Sequence, residues 1–237
     1  MQWYNGKLLT ADTIALYQTD PGLLYGATVF TTLRVYGQHL DQWQAHCQRL
    51  NYSLKAFHWQ PPNWQQVRKG ATLLAQSYPV IRITLFPDGR EWITGRNLPS
   101  DLKQRQEEGI TAWVANNSSF SRHLPEHKTG NYLGSWLALQ RAKEKGAQEA
   151  ILVDENGNWL ETSTGNLWGW KEGIWWTPVV NQALAGIARS RLLTFFQQHN
   201  IEVKQTVWTP EFVSTLEGLG YSNCVVQVIP IHTVIND

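Results

Sequence analysis

The sequence has little of several features that mark special classes of protein. Only two of its 237 residues are cysteine, Cys47 and Cys224, so no disulfide framework holds the fold together. No apolar run approaches the roughly 20 residues that a membrane-spanning helix needs. The first residues, Met-Gln-Trp-Tyr-Asn-Gly, do not form a basic segment that leads into an apolar signal core. We therefore expect a cytoplasmic protein with no membrane partner.

Charge of one sign is also lacking. Twenty Lys and Arg residues stand against 19 Asp and Glu residues, which gives a formal net charge of +1. This balance produces no long-range positive field, so we expect no nucleic-acid partner. Tryptophan is abundant, but its 13 copies are scattered, which is typical of core and interface packing rather than of a base-stacking platform. We expect a small-molecule partner and assign no metal site.

Local patterns predict a mixture of helices and strands. Hydrophobic periodicity predicts helices over residues 44–57, 63–77, 129–145 and 187–199. Runs rich in β-branched and aromatic residues predict strands over residues 29–36, 80–86, 91–95, 149–153, 166–170, 174–177 and 224–230. These elements lack the regular alternation of a doubly wound sheet, so the predicted fold class is α+β.

One segment predicts a division into two domains. Residues 116–121 are polar and rich in residues that break regular structure, and Pro125 follows soon after. We therefore expect a linker over residues 116–125. It separates a small N-terminal domain, residues 1–115, from a C-terminal domain, residues 126–237.

Three short segments in the second half carry side chains suited to chemistry. Lys128 stands at the predicted start of a helix, Glu161 leads into a stretch of small hydroxyl residues, and Gly186 opens another helix. Taken alone, each has an ordinary interpretation: a surface lysine, a carboxylate at a strand end and a turn glycine. None of them supports a function by itself.

Together the three segments supply what a pyridoxal cofactor needs. A lysine forms an imine with the cofactor and moves the proton at the substrate carbon. A carboxylate facing the pyridine nitrogen keeps that nitrogen protonated, so the ring can accept electrons. A helix N-terminus with small residues offers backbone N–H groups to a phosphate dianion. The set predicts a binding site for pyridoxal 5′-phosphate.

The same segments resemble the class IV (fold type IV) aminotransferases. The resemblance covers nearly the whole chain and rests on motifs that occur in family order: residues 26–34 of the early strand, His-x-x-Arg-Leu from His46, His-Lys-Thr-x-Asn from His127, Ala-Ile-Leu-Val-Asp-x-x-Gly from Ala150, Glu-x-x-x-x-Asn-Leu from Glu161, Gly-Ile-x-Arg from Gly186, and residues 222–231. It implies a fold type IV enzyme that uses pyridoxal 5′-phosphate and forms a homodimer. In such an enzyme the N-terminal domain is small and α/β, and the larger C-terminal domain is β-barrel-like with helices.

The resemblance also implies roles for individual residues. Lys128 would form the Schiff base, or internal aldimine, and act as general acid and base, while Glu161 would pair with the pyridine nitrogen. Six positions would contact the phosphate by a guanidinium, by the N–H groups of the glycine turn or along its other side: Arg49, Gly186, Ile187, Ala188, Asn223 and Cys224.

Within the family the sequence resembles the aminodeoxychorismate lyases of folate biosynthesis. Transaminases commonly carry Glu after the Phe of the early strand, whereas this chain has Thr31 and Thr32 there, and its His-Lys-Thr around Lys128 is also lyase-like. The implied reaction converts 4-amino-4-deoxychorismate to 4-aminobenzoate and pyruvate, with Lys128, Thr31 and Thr32 as catalytic residues. Residues 26–28 depart from the usual Gly-Asp-Gly, so a D-amino-acid or branched-chain aminotransferase remains the alternative.

A dianionic substrate requires cations. Arg90, which lies in a turn, resembles an arginine of the lyases that binds a carboxylate. Arg34 and Arg82, both on predicted strands, are further candidates. A solvated charge on a strand is an equally good interpretation of each.

Overall fold

The computed structural model describes residues 1–120 and 122–236. Ser121, in the predicted linker, and Asp237, at the end of the predicted C-terminal domain, lie outside the described residues. The chain divides into two compact units. One unit comprises Met1–Pro99 with His127–Asn131, and the other comprises Ser100–Glu126 with Tyr132–Asp237.

The first unit is built on a six-stranded antiparallel sheet. In sheet order its strands are β2 (Lys7–Leu9), β1 (Gln2–Tyr4), β6 (Glu91–Arg96), β5 (Val80–Leu85), β3 (Val29–Tyr36) and β4 (His39–Leu40). Its helices are α1 (Pro21–Tyr25), α2 (Trp43–Ala56) and α3 (Trp64–Ala75). Helix α3 begins where the Asn63 side chain accepts hydrogen bonds from the N–H groups of Gln65 and Gln66, directly after two prolines.

Strand β3 has one face in the core of this unit. Val29 and Leu33 pack with Leu50 of helix α2 and Leu74 of helix α3 in one buried cluster. Because side chains alternate along a strand, odd-numbered residues of β3 face these helices and even-numbered residues face the other side of the sheet. This alternation decides where Thr31 and Thr32 point.

The second unit is built on an eight-stranded mixed sheet that curls into a half-barrel. In sheet order its strands are β12 (Val203–Thr206), β11 (Ile174–Pro178), β10 (Asn166–Lys171), β13 (Gly218–Asn223), β14 (Gln227–Ile235), β7 (Ile110–Ala115), β8 (Glu149–Val153) and β9 (Trp159–Thr162). Its helices are α4 (Leu102–Glu108), α5 (Leu133–Glu144), α6 (Ile187–Gln198) and α7 (Pro210–Val213), with a short 3-10 helix at Ser118–Phe120. Among the described residues, no helix is long and apolar enough to cross a membrane.

The division of the chain differs from the predicted boundary at residue 115. Strand β7, which the prediction places in the N-terminal domain, pairs in parallel with β14 and β8 of the second unit. The segment His127–Asn131, predicted to start the C-terminal domain, belongs to the first unit. Parallel pairing between distant segments leaves no local signal in a sequence, so the polar stretch is a poor guide to this boundary.

Two predicted elements also need correction. The helix predicted to begin at residue 129 begins at Leu133, because Thr129 makes a β-bridge with Val29 instead. The strand predicted over residues 224–230 begins only at Gln227, as strand β14, because residues 224–226 form the turn that joins β13 to β14. The Asn223 side chain closes that turn by accepting hydrogen bonds from the N–H groups of Val225 and Val226. The turn contains neither glycine nor proline, so composition does not reveal it.

Candidate active site

Lys128 lies on an extended segment that pairs with the start of strand β3. Its carbonyl accepts a hydrogen bond from the Phe30 N–H at 2.8 Å, and the Gly130 N–H donates to the Thr28 carbonyl at 2.7 Å. A Cβ atom at residue 130 would lie 2.2 Å from the Thr28 hydroxyl, so this approach requires glycine. The Lys128 amine lies 4.7 Å from the centre of the Phe30 ring.

A second cation lies over the same ring. The Arg82 guanidinium is 3.7 Å from the Phe30 centroid, and the register of β3 and β5 sets Arg82 opposite Thr32. Phe30 and Thr32 share one face of β3 because they are two residues apart. This face therefore brings together the Lys128 amine, a guanidinium and a hydroxyl. Arg34 lies two residues further along β3, with its guanidinium 5.1 Å from the Tyr36 ring.

Thr31 faces the other side of the strand. It is fully buried, and its hydroxyl oxygen accepts a hydrogen bond from Arg49 Nη2 at 2.6 Å and lies 2.5 Å from His46 Nδ1. The two threonines predicted to be catalytic thus have different surroundings. Thr31 supports the predicted phosphate ligand Arg49, whereas Thr32 shares its face with Phe30.

The sequence alone assigns no role to His46, although the structure gives it one. Burial and the positive charges of Arg49 and Lys128 lower the pKa of His46 to about 3. A neutral imidazole has one nitrogen that accepts, so Nδ1 can accept a hydrogen bond from the Thr31 hydroxyl while the Thr31 oxygen accepts one from Arg49. The pair orients the guanidinium without neutralising its charge. The motif containing His46 was the only signal in the sequence.

Glu161 is buried on strand β9 and has partners on both oxygens. Arg122 Nη1 lies 3.2 Å from Oε1, and the Leu184 N–H donates to Oε2 at 3.2 Å. The Arg122 and Glu161 side chains are only 5% and 6% exposed. A carboxylate oxygen can accept more than one hydrogen bond, and the contact expected between Glu161 and the pyridine nitrogen stays a prediction. Arg122 lies in the predicted linker, where no sequence signal connects it with Glu161.

The N-terminus of helix α6 has no side-chain cap. Its N-cap residue is Gly186, which has no side chain to bond to the first turn, so the N–H groups of Ile187 and Ala188 suit an anion. A Cβ atom at residue 186 would lie 2.1 Å from Asn166 Oδ1. Asn166 in turn donates to the Leu184 carbonyl at 2.7 Å. This packing fixes the turn against strand β10 and requires glycine at its centre.

Asn223 and Cys224 stand at the turn between β13 and β14. The Asn223 side chain closes this turn and lies 3.4 Å from the Thr164 hydroxyl. Thr164 and Ser163 both donate to the buried carboxylate of Glu149. Burial raises the pKa of Glu149 even though these hydrogen bonds oppose the shift. The phosphate contacts expected of Asn223 and Cys224 stay predictions.

The Arg90 guanidinium makes three hydrogen bonds to described residues of the first unit. Its guanidinium donates to Asp20 and to Asp88 at 2.6 Å each and to the Tyr4 hydroxyl at 2.7 Å. Burial alone would raise the pKa of Asp20, but hydrogen bonds from Arg90 and the Gly22 N–H outweigh burial and lower it. These contacts join the chain around residue 20 to the turn before β6. The substrate role expected of Arg90 stays a prediction.

The chemistry of these groups fits pyridoxal 5′-phosphate. The first unit offers a lysine amine for the aldehyde and a guanidinium for the phosphate. The second unit offers a carboxylate for the pyridine nitrogen and an uncapped helix N-terminus for the phosphate.

Comparison with known proteins agrees with this chemistry. The family model described as amino-transferase class IV matches residues 28–234. The branched-chain-amino-acid aminotransferase of Escherichia coli K12 is 26% identical over 264 residues, with 98% of this chain and 84% of that protein covered. The aminodeoxychorismate lyase of Vibrio harveyi is 23% identical over 248 residues, with 98% and 90% covered.

The fold is similar to that of solved structures. A hypothetical aminotransferase from Mycobacterium tuberculosis in its PLP-bound form superposes with a TM-score of 0.87 at 17% sequence identity. The alignment covers 99% of this chain and 90% of that one. At this identity the likeness concerns the fold alone.

Proposed function

The chain belongs to the class IV aminotransferase family, and from this premise we propose that it is an aminodeoxychorismate lyase. It is an enzyme with pyridoxal 5′-phosphate as its cofactor. The proposed reaction converts 4-amino-4-deoxychorismate to 4-aminobenzoate and pyruvate. Folate biosynthesis in the cytoplasm is the setting that we propose for it.

Residues of the family motifs would hold the cofactor. Lys128 would bond to it covalently, Glu161 would pair with its pyridine nitrogen, and Arg49 would bind its phosphate. The N–H groups of Ile187 and Ala188 would bind the phosphate from the Gly186 turn, and Asn223 and Cys224 would lie on its other side. When bound, the cofactor supplies an electron sink for a carbanion.

One observation carries the proposal of an anionic substrate. The Lys128 amine and the Arg82 guanidinium lie over the same Phe30 ring, at 4.7 and 3.7 Å from its centroid, and Thr32 is opposite Arg82. Arg82 binds a substrate carboxylate and Thr32 donates a hydrogen bond to the substrate. Lys128 removes the proton from the amine-bearing carbon and delivers it to the departing three-carbon group. Of the three arginines considered, Arg82 is therefore the one that we assign to the substrate.

A branched-chain aminotransferase is the second candidate. The identity to the Escherichia coli aminotransferase, 26%, is slightly above that to the Vibrio harveyi lyase, 23%. Position 31 favours the lyase, because transaminases commonly carry Glu there and this chain has Thr31 beside Arg49.

An assay without an amino acceptor separates the two candidates. The holoenzyme is given 4-amino-4-deoxychorismate without a 2-oxo acid, and 4-aminobenzoate and pyruvate are quantified. We expect both products in equal amounts, and neither from Lys128→Ala. The lyase proposal fails if no 4-aminobenzoate forms while the same enzyme exchanges amino groups between branched-chain amino acids and 2-oxoglutarate.

We also propose that the enzyme is a homodimer. Leu133, Trp136 and Leu137 lie on one face of helix α5, and all three are exposed, with Trp136 53% exposed. A contiguous apolar face of this kind is typical of an interface. Sedimentation should give twice the monomer mass, and Trp136→Glu should shift the protein toward the monomer. A wild-type protein that sediments as a monomer at micromolar concentration contradicts this.

A further inference from the structure

His127 directly precedes Lys128, and helix α2 holds its ring. The ring stacks on Tyr52, with centroids 5.1 Å apart and planes at 23°, and packs on Phe57 at 4.5 Å. Its Nδ1 lies 3.0 Å from the Ser53 hydroxyl oxygen. Only 4% of His127 is exposed. A ring that is held by two aromatic neighbours and a hydrogen bond has little freedom to shift.

Strand β3 holds the residues that follow. The Lys128 carbonyl accepts the Phe30 N–H at 2.8 Å, and Thr129 makes an antiparallel bridge with Val29. The main chain at Lys128 is therefore fixed on both sides. Helix α2 fixes the residue before it, and strand β3 fixes Lys128 and the residue after it.

The burial pattern shows how this arrangement directs the lysine. His127 and Thr129 are buried, whereas Lys128 between them is half-buried. With His127 buried against α2 and Thr129 bridged to Val29, the Lys128 side chain between them projects toward Phe30, where its amine lies 4.7 Å from the ring centroid. A flexible four-carbon stem separates the amine from the main chain, so the amine reaches a defined point only if its Cα is fixed.

We propose that His127 is a positioning residue that fixes the main chain of Lys128 and thereby aims its amine. The inference rests on the proposed role of Lys128 as the cofactor lysine. His127 acts through Lys128 and is not assigned a contact with cofactor or substrate. The position of the ring, rather than its ionisation, is what matters.

Attachment of the cofactor to the apoenzyme tests the proposal. The Lys128 amine forms a carbon–nitrogen double bond to the aldehyde and releases one water, and visible absorbance follows the rate. We expect His127→Ala to slow attachment by about 10- to 100-fold, the size of effect produced by a misplacement of about 1 Å. Pyridoxine 5′-phosphate, an alcohol analogue that cannot react with a lysine, reports binding alone. Its affinity should change by less than about twofold, since its contacts come from other residues.

Three further variants separate positioning from general packing. His127→Phe keeps the aromatic stacking, so attachment should recover to within about threefold of the wild-type rate. His199→Ala is the matched control, because His199 also packs on a phenylalanine ring, Phe195, at 4.1 Å but lies in the second unit. It should leave attachment unchanged. Tyr52→Ala removes one of the two rings that pack on His127 and should slow attachment less than His127→Ala. Because Tyr52 is 58% exposed, this variant should fold even if His127→Ala does not.

The outcomes distinguish this inference from the proposed function. Attachment to His127→Ala at the wild-type rate overturns the inference. The inference is also overturned if His127→Ala slows attachment, weakens analogue binding by a similar factor and lowers the melting temperature. That result would assign His127 to packing alone. A wild-type apoenzyme that binds the alcohol analogue but never attaches the aldehyde overturns the role of Lys128 instead.

Discussion

Two proposed cofactor ligands, Arg49 in the first unit and Glu161 in the second, have partners of different charge. In the first unit Arg49 is supported by the Thr31 hydroxyl and by His46, whose pKa is lowered to about 3 by burial and by the neighbouring cations. In the second unit the buried Glu161 is matched by the buried cation of Arg122. Neutral groups such as the Thr31 hydroxyl and the His46 imidazole do not cancel the charge of a guanidinium, whereas Arg122 gives the buried carboxylate of Glu161 a cationic partner. The first unit thus presents a cation suited to the cofactor phosphate, and the second unit presents a carboxylate suited to the pyridine nitrogen.

The largest effect is expected in the first unit, from Lys128→Ala. Loss of the general acid and base should lower kcat/KM by on the order of 10⁴-fold. The matched control is Lys69→Ala, which removes an exposed lysine of helix α3 in the same unit and should leave kcat/KM unchanged. If Lys128→Ala keeps activity within about tenfold of the wild type, a residue other than Lys128 moves the proton.

The next effect concerns the second unit. Arg122→Met removes the cation from a buried pair and should lower the free energy of unfolding by about 3–5 kcal/mol, measured in urea. Adding Glu161→Gln should restore much of this loss, with a coupling of at least about 1 kcal/mol in the double-variant cycle. If Arg122→Met lowers the free energy of unfolding by less than about 1 kcal/mol, the buried Arg122–Glu161 ion pair does not distinguish the second unit from the first.

The neutral imidazole of His46 in the first unit should make the free energy of unfolding depend on pH. The pKa of His46 is about 3 in the folded protein and about 6.5 when the chain unfolds. The unfolded chain therefore binds more protons in this window, and the stability that neutral His46 contributes above pH 6.5 is lost as the pH falls toward 3. His46 contributes at most about 1.4 kcal/mol per pH unit to the slope of the free energy of unfolding against pH. His46→Gln should flatten the dependence, whereas the same change at exposed His199 should not; an unaltered slope in His46→Gln counts against a buried neutral imidazole.

The smallest effect separates two arginines of the first unit. Arg82→Gln should raise KM for the anionic substrate by about tenfold, because one charged hydrogen bond is lost, without changing the melting temperature. Arg90→Gln should show the reverse pattern, since it removes contacts with Asp20, Asp88 and Tyr4. A larger KM effect at Arg90 than at Arg82 would move the substrate site to the turn before β6.

Elements with local signals were predictable from the sequence. Helix α3 was predicted over residues 63–77 and spans Trp64–Ala75, because two prolines, the Asn63 cap and a 3.6-residue apolar period mark it. Strands β5 and β6 followed from β-branched runs around a Pro-Asp-Gly turn. The family and its cofactor were predictable for a similar reason, since Lys128, Glu161 and Gly186 sit in short ordered motifs.

What depends on distant contacts was not predictable. Helix α5 begins at Leu133, four residues later than the sequence predicts, because residues 128–130 pair with a strand about 100 positions away. Arg122 lies 39 residues from Glu161, and His127 lies 74 residues from Ser53. Such pairs form only when the fold brings the two residues together. A buried polar residue needs a hydrogen-bond partner, but the sequence does not show which distant residue supplies it.

The attachment point of the cofactor tests the central claim most directly. The holoenzyme is treated with borohydride, which makes the bond between cofactor and lysine permanent, and its peptides are then analysed by mass spectrometry. We predict one labelled peptide, with the cofactor on Lys128, and no labelled peptide from Lys128→Ala. Cofactor found on another lysine, or on none, contradicts the account.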